Sequence, residues 1–232
     1  CLVGSEMCIR DRTTLQREIN RLLDYTAQQT LDYLQSLYEK RLATYPRTDS
    51  RYLTGDMAAG LPSLCHEVAG ALPFAKALTI PVDPDQVVDN SKVSDHHAIL
   101  PTREVAKADL ASLPTGERNV LSLVSARLLC AVGNPHIYEE TAVTVTCGGA
   151  DFSVRGKTVI DEGWEAIDRA FRTSLKQKPE PEEAAVPRLQ EGQAIPGAGA
   201  ALKEGQTAPP KHYTEAISVS YTHLRAHETC AD

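Results

Sequence analysis

The sequence predicts an α+β fold, a mostly helical stretch followed by a β-rich one. Apolar residues recur at helical spacing between residues 13 and 132, the pattern changes to alternation from Thr141, and Gly148-Gly149-Ala150-Asp151 interrupts that alternation where a hairpin would turn. Thr13-Thr14-Leu15-Gln16 opens a first helix that runs through Ile19, Leu22 and Leu23. Thr26 caps a second, in which Ala27, Leu31, Leu34, Leu37 and Tyr38 form one stripe expected to be buried, and Lys40 and Arg41 suit its C-terminal end. Leu64, Val68 and Leu72 predict a short helix over 61–72. Pro81 and Pro84 break the stretch 73–93 into loop, and 109–132 reads as a helix with Val120, Leu121, Val124, Leu128 and Leu129 on its apolar side. Gly133-Asn134-Pro135 stops it.

Thr141 to Cys147 and Phe152 to Gly156 then predict a β-hairpin, with a further strand at Lys157 to Ile160 and a short helix from Trp164 to Leu175. Residues 177–186 are rich in Pro and Glu and read as a loop. Val186 to Gln206 is expected to return to strands, with Glu191-Gly192-Gln193 and Glu204-Gly205-Gln206 as turns.

The two ends stand apart. Residues 1–11 back-translate to a DNA segment whose reverse complement encodes residues 219–229, so both ends read as one segment translated from opposite strands. That segment resembles a transposon-type sequencing adapter, and residues 1–12 and 218–232 are therefore expected to be artefactual and to lie outside the fold. On this reading the authentic chain begins and ends within a gene.

Setting the ends aside removes Cys1, Cys8 and Cys230. Cys65, Cys130 and Cys147 remain, with no CxxC spacing, which disfavours a disulfide framework or a zinc ribbon and suits a reducing cytoplasm. Neither a signal peptide nor an apolar run of membrane length is present, so a soluble cytoplasmic protein is expected. The formal net charge of −7 argues against nucleic-acid binding through overall charge. Lys40, Arg41, Arg47 and Arg51 nevertheless concentrate positive charge in one short region.

That region contains Tyr45-Pro46-Arg47-Thr48-Asp49-Ser50-Arg51-Tyr52-Leu53, which gathers phenol, guanidinium, hydroxyl and carboxylate groups within what reads as a turn. A phenol has an ordinary pKa of about 10 and becomes a nucleophile only where cations stabilise its anion, a charge that Arg47 and Arg51 can supply. Their forked donors also match phosphate oxygens. The same residues equally suit a Pro-fixed surface turn with a Thr, Asp or Ser helix cap. A second cluster, Ser94-Asp95-His96-His97, lies too far along the chain for one turn to hold both. Adjacent histidines point apart, so one of them is expected to face a given site. Such an imidazole can donate to a phosphate oxygen or accept a proton. A third metal ligand at a persuasive spacing is lacking, so no metal site is expected here.

Taken together, residues 45–53 and Ser94-Asp95-His96-His97-Ala98-Ile99-Leu100-Pro101-Thr102 resemble the type IA DNA topoisomerases. Thr14-Leu15-Gln16, Thr26 to Leu31, Leu37-Tyr38-Glu39 and Gly156 to Trp164 match the same family in order and spacing, and Pro46 favours the bacterial topoisomerase III branch over topoisomerase I. The resemblance implies a mostly helical, winged-helix-like domain bearing the active-site tyrosine at 13–132, part of a β-rich arch at 133–190, and at 191–217 the start of a return to the DNA-gripping domain. It implies that Tyr45 attacks single-stranded DNA and becomes linked to the 5′ phosphate, that Arg47 stabilises the developing charge, and that His96 contacts the phosphate. Gln16, Thr48, Asp49, Ser50 and Arg51 are implied as DNA-backbone contacts or as residues that hold the loop. The family's Toprim domain, with its catalytic glutamate and Mg²⁺ site, has no counterpart in residues 13–217, so this chain alone is expected to be inactive and to hold no Mg²⁺ itself. The alternative is a noncatalytic DNA-binding helical module in which Tyr45 is structural.

Overall fold

The computed structural model describes residues 2–5, 7–177, 186–187, 189–195, 199, 204–209, 214–215 and 217–219. Its architecture is α+β: a helical body from which a long β-ribbon projects. In chain order the elements are β1 (Leu2–Ser5), α1 (Arg12–Leu23), α2 (Ala27–Glu39), α3 (Leu61–Ala71), α4 (Thr115–Val132), β2 (His136–Cys147), β3 (Ala150–Asp161) and α5 (Trp164–Ser174). The second helix starts where its cap predicts: the Thr26 hydroxyl accepts from Gln29 N–H, and the Gln29 side chain accepts from Thr26 N–H. α4 starts six residues later than the periodicity suggests, because Asp109 caps a separate short 3-10 turn at Leu110–Ser112 and Pro114 stands at the N-cap of α4.

Two apolar clusters build the body. One joins Leu61, Cys65 and Val68 of α3 to Leu128, Leu129 and Val132 of α4, and the other joins Leu15 and Ile19 of α1, Leu34 and Leu37 of α2, and Val120, Leu121 and Val124 of α4. α4 is buried almost all round, which a single-sided stripe does not anticipate. Burial pushes the Cys65 and Cys130 thiols up to about 12, so both stay protonated at neutral pH.

A charge chain runs through this apolar body. Arg127 on α4 is only 1% exposed, and its guanidinium bonds Glu18 of α1 at 2.7 and 2.8 Å and also Asp168 of α5. Arg10 meets Glu18 at 2.7 Å and Arg172 meets Asp168 at 2.7 Å, so each buried carboxylate has two cationic partners. Burial opposes charge on Glu18, but Arg127 and Arg10 outweigh it and hold the carboxyl below its ordinary range. The same balance, won by Glu18 and Asp168, raises the pKa of Arg127.

β2 and β3 are continuous antiparallel strands, so Lys157 to Ile160 extends the hairpin and forms no separate strand. Gly148 (φ 61°) and Gly149 (φ 80°) make the two-residue turn, where the left-handed backbone excludes most side chains. β1 pairs with β2 on the other side, giving the order β1-β2-β3. At the root of the ribbon Gly163 (φ 50°) passes so close to Asn134 and Pro135 that a Cβ would stand 2.2 Å from the Pro135 carbonyl oxygen. α5 then packs back on α4, placing Ile167 and Phe171 in the two clusters, so this part of the 133–190 stretch belongs with the helical body.

Residues 9–11, counted with the N-terminal end, are integrated. Ile9 is fully buried, Arg10 pairs with Ile99 in an isolated bridge, and Asp11 caps α1 through Thr14 N–H at 2.7 Å. The expectation that residues 1–12 lie outside the fold is corrected: Leu2–Ser5 pair with β2, Ile9 is buried, Asp11 caps α1 and Arg12 opens it, contacts that join this end to the fold whatever the origin of its codons. The loop expected at 177–186 lies almost wholly outside the described residues. Of the return to strands at 186–206, the described residues form no strand, while Gln193 N–H to the Gln190 carbonyl at 3.0 Å closes a turn at Glu191-Gly192. Glu215 meets the body again, its carboxylate accepting from Ala27 N–H at the start of α2.

Candidate active site

Residues 45–53 form no helix and no helix cap; the chain bends at Pro46 and runs as a loop to the bridge at Leu53. It lies against the 94–102 segment. Ala43 pairs with Pro101 in an antiparallel bridge, with Thr44 N–H to the Leu100 carbonyl at 2.9 Å and Thr102 N–H to the Leu42 carbonyl at 3.0 Å. Farther along, Ala98 N–H donates to the Tyr52 carbonyl at 3.0 Å, and Leu53 bridges to Val88. The two sequence motifs are therefore held together by main-chain bonds, which explains why chemistry is shared between distant stretches.

Burial alternates along this stretch. Pro46, Thr48 and Ser50 are buried, and Arg47, Asp49 and Arg51 are exposed. The buried hydroxyls hold the segment: Thr48 donates to the His96 carbonyl at 2.9 Å and accepts from Ser50 N–H, and Ser50 donates to the Lys92 carbonyl at 2.8 Å. On the exposed side the residues differ. Arg51 pairs with Asp11 at 2.7 Å, and that bond is the leading cause of its raised pKa. Arg47 and Asp49 have no ion-pair or hydrogen-bond partner among the described residues, so the Arg47 guanidinium is open to an incoming anion.

Tyr45 is half-buried, and its hydroxyl has no hydrogen-bond partner among the described residues. Its ring lies 4.4 Å from the exposed His96 ring, centroid to centroid, with planes tilted by 43°. His97 turns away and its Nδ1 lies 2.7 Å from the Ala98 carbonyl oxygen, so the adjacent histidines diverge as the sequence predicts. Tyr38 completes the ring cluster, edge to face with Tyr45 at 5.7 Å. Of the local cations, Lys40 is taken up by Glu117 and Arg51 by Asp11, which leaves Arg47 as the motif's unpaired guanidinium.

Gln16 lies apart from this cluster. Its side-chain amide donates to the Ala27 carbonyl at 2.9 Å and ties α1 to α2. Sequence reasoning missed the Tyr38 contact and the Arg127 chain. A signal existed for the second, an arginine inside the apolar run of α4, but its partners lie far away in sequence. Among the described residues no group of three or more His, Cys, Asp or Glu side chains is placed to hold a metal ion, and no helix is long and apolar enough to cross a membrane.

A family profile described as DNA topoisomerase matches residues 10–220. The chain belongs to this family, within the type IA class that its tyrosine and histidine motifs resemble. Its curated relatives put it on the topoisomerase III branch. It is 36% identical over 219 residues to DNA topoisomerase 3 of Bacillus licheniformis and 35% identical over 224 residues to DNA topoisomerase 3 of Bacillus subtilis. Each match covers 90% of this chain, which spans 29% of the relative's length. The fold is also that of full-length topoisomerase I from Thermotoga maritima, with a TM-score of 0.64 at 20% identity over 97% of this chain and 36% of that one.

Proposed function

We propose that this chain carries the DNA-cleaving tyrosine of a type IA topoisomerase that breaks and rejoins single-stranded DNA without ATP. The observation that carries the reading is the Tyr45 phenol, its hydroxyl unpartnered among the described residues, beside the exposed imidazole of His96 and on a segment that also presents Arg47, unpaired among the same residues. The Tyr45 oxygen attacks the phosphorus as its proton departs, the bond from phosphorus to the 3′ oxygen breaks, and a 5′-phosphotyrosine forms. Arg47 offsets the charge that builds on the phosphoryl oxygens, and His96 donates to one of them. The departing 3′ oxygen takes up a proton and, as a hydroxyl, later attacks the phosphotyrosine to restore the strand. The phosphodiester energy is kept in the covalent bond, so religation needs no nucleotide.

The general acid for the leaving oxygen, and the Mg²⁺ site, belong to a Toprim domain in the complete enzyme. Relaxation or decatenation of underwound DNA is accordingly a property of that complete enzyme, in the cytoplasm. Thr48 and Ser50 serve by holding the segment, with Asp49 and Arg51 at its DNA-facing edge and Gln16 bracing the helices behind it. Recognition is led by the phosphate backbone, with little base specificity.

The test mixes this chain with the Toprim domain of a topoisomerase 3, Mg²⁺ and a 3′-labelled single-stranded oligonucleotide. A denaturant-resistant adduct is expected, absent in Tyr45→Phe. Binding of the oligonucleotide without any adduct would instead support a noncatalytic DNA-binding module. We further infer that residues 1–11 and 219–229 derive from a sequencing adapter. Resequencing the gene should replace both with unrelated residues, and their recovery in genomic DNA would refute this.

A further inference from the structure

Helical spacing predicts Tyr38 on the buried stripe of α2, yet the structure leaves it 41% exposed while Leu37 beside it is fully buried. An aromatic ring held outward at the last turn of a helix gains little from burial, so its value must lie in what it touches. Among the described residues its aromatic contact is with Tyr45, centroids 5.7 Å apart and planes at 78°. His96 lies against the same ring, centroids 4.4 Å apart and planes tilted by 43°.

The chain reversal that returns residue 45 to residue 38 is built rigidly. Lys40 N–H bonds the Ser36 carbonyl at 3.0 Å, Arg41 N–H the Tyr38 carbonyl at 2.9 Å and Leu42 N–H the Leu37 carbonyl at 2.8 Å. Arg41 takes the left-handed conformation (φ 60°), which disfavours a residue with a Cβ, and its carbonyl accepts from the Thr102 hydroxyl. The backbone of Tyr38 is thereby tied to the 94–102 segment that also carries His96. Both rings that touch Tyr45 are anchored to one frame.

We propose that Tyr38 is a positioning residue for Tyr45: its ring limits the swing of the Tyr45 side chain and keeps the phenol beside His96. This rests on the reading of Tyr45 as the nucleophile. Without the neighbouring ring, Tyr45 gains rotamer freedom and spends less time in the orientation that meets a phosphate. A favourable aromatic pair shifts such an equilibrium by roughly two- to tenfold.

The test uses this chain with 3-fluorotyrosine incorporated at position 45 and reads its ¹⁹F resonance. Tyr38→Ala should shift and narrow the resonance through freer averaging, and Tyr38→Phe should leave it in place. With the Toprim domain of a topoisomerase 3 added to the unlabelled chain, single-turnover adduct formation should fall roughly two- to tenfold in Tyr38→Ala and recover in Tyr38→Phe. Oligonucleotide affinity should change by less than about twofold in both, since the contact is with Tyr45 and not with DNA. If Tyr38→Ala fails to fold, Tyr38→Leu keeps apolar bulk without the ring and is judged by the same readouts. An unchanged ¹⁹F resonance or an unchanged adduct rate would overturn the proposal. So would a loss confined to affinity, which would make Tyr38 a base-stacking contact. If the resonance responds as expected but no variant, wild type included, forms an adduct, the nucleophile reading fails and the ring contact stands.

Discussion

The motif segment at 45–53 and the β2–β3 ribbon both alternate along the chain, but they use their two faces in opposite ways. In the motif segment the inward face is polar: Thr48 and Ser50 spend their hydroxyls on backbone groups of the 94–102 and 90–92 stretches, which frees the outward face to carry Arg47, Asp49 and Arg51. In the ribbon the apolar face is covered at its root, where Val186 stands against Gly156, and is largely exposed toward the turn. Val143 stands opposite Val154 and Val145 opposite Phe152, with Phe152 58% exposed, while the other face pairs Thr144 with Ser153 and Ala142 with Arg155. The difference teaches that period-two alternation fixes which residues share a face and leaves open what each face meets. A buried hydroxyl is a fastening when a carbonyl faces it, and an apolar strand face is a core only when another layer covers it.

The comparison can be broken first at the body beneath the motif segment. Arg127→Ala strands Glu18 and Asp168 without their shared partner, and urea unfolding should show a loss of about 3–5 kcal/mol. A change under about 1 kcal/mol would mean that the buried charges are not coupled as the geometry requires. Next, Arg47→Ala removes an outward side chain with no partner among the described residues. Adduct formation with the Toprim domain present should slow by about 100-fold or more, while thermal unfolding should move by no more than about 0.5 kcal/mol. Equal losses in rate and stability would show that the outward face also holds the fold. Thr48→Val is the reverse case. It leaves the His96 carbonyl without its donor and Ser50 N–H without its acceptor, and should cost about 1–3 kcal/mol in denaturant unfolding. The smallest effect is expected on the exposed part of the ribbon's apolar face, where Phe152→Ser should change stability by less than about 0.5 kcal/mol. A larger loss would mean that another part of the chain covers that part too.

Local features were legible in the sequence. The Thr26 cap and the stop at Gly133-Asn134-Pro135 each depend on neighbours a few residues away and appear where the sequence puts them, while the turn expected over Gly148 to Asp151 narrows to Gly148-Gly149 because Ala150 and Asp151 already pair with β2. The pairing of Tyr45 with His96 was legible only through the family resemblance, since residues so distant in sequence carry no local sign of contact. Pro46 marks a turn in the sequence and a bend in the structure, and the main-chain bonds from residues 42–44 and 52 to the 98–102 segment join stretches that no local pattern links. Helical spacing puts Tyr38 on the buried stripe beside Leu37, but successive helical residues point about 100° apart, and the body buries Leu37 while Tyr38 stays 41% exposed. Arg127 escaped notice because charge is ordinarily read as surface, and the carboxylates that neutralise it come from α1 and α5.

The central claim is that the outward-facing chemistry of this segment converges on one phenol. The direct measurement is peptide mapping by mass spectrometry of the adduct formed with an oligonucleotide and the Toprim domain of a topoisomerase 3. The account predicts a 5′-phosphonucleotide on Tyr45 alone. The same mass on Tyr38 or Tyr52, or DNA bound with no modified tyrosine, would contradict it.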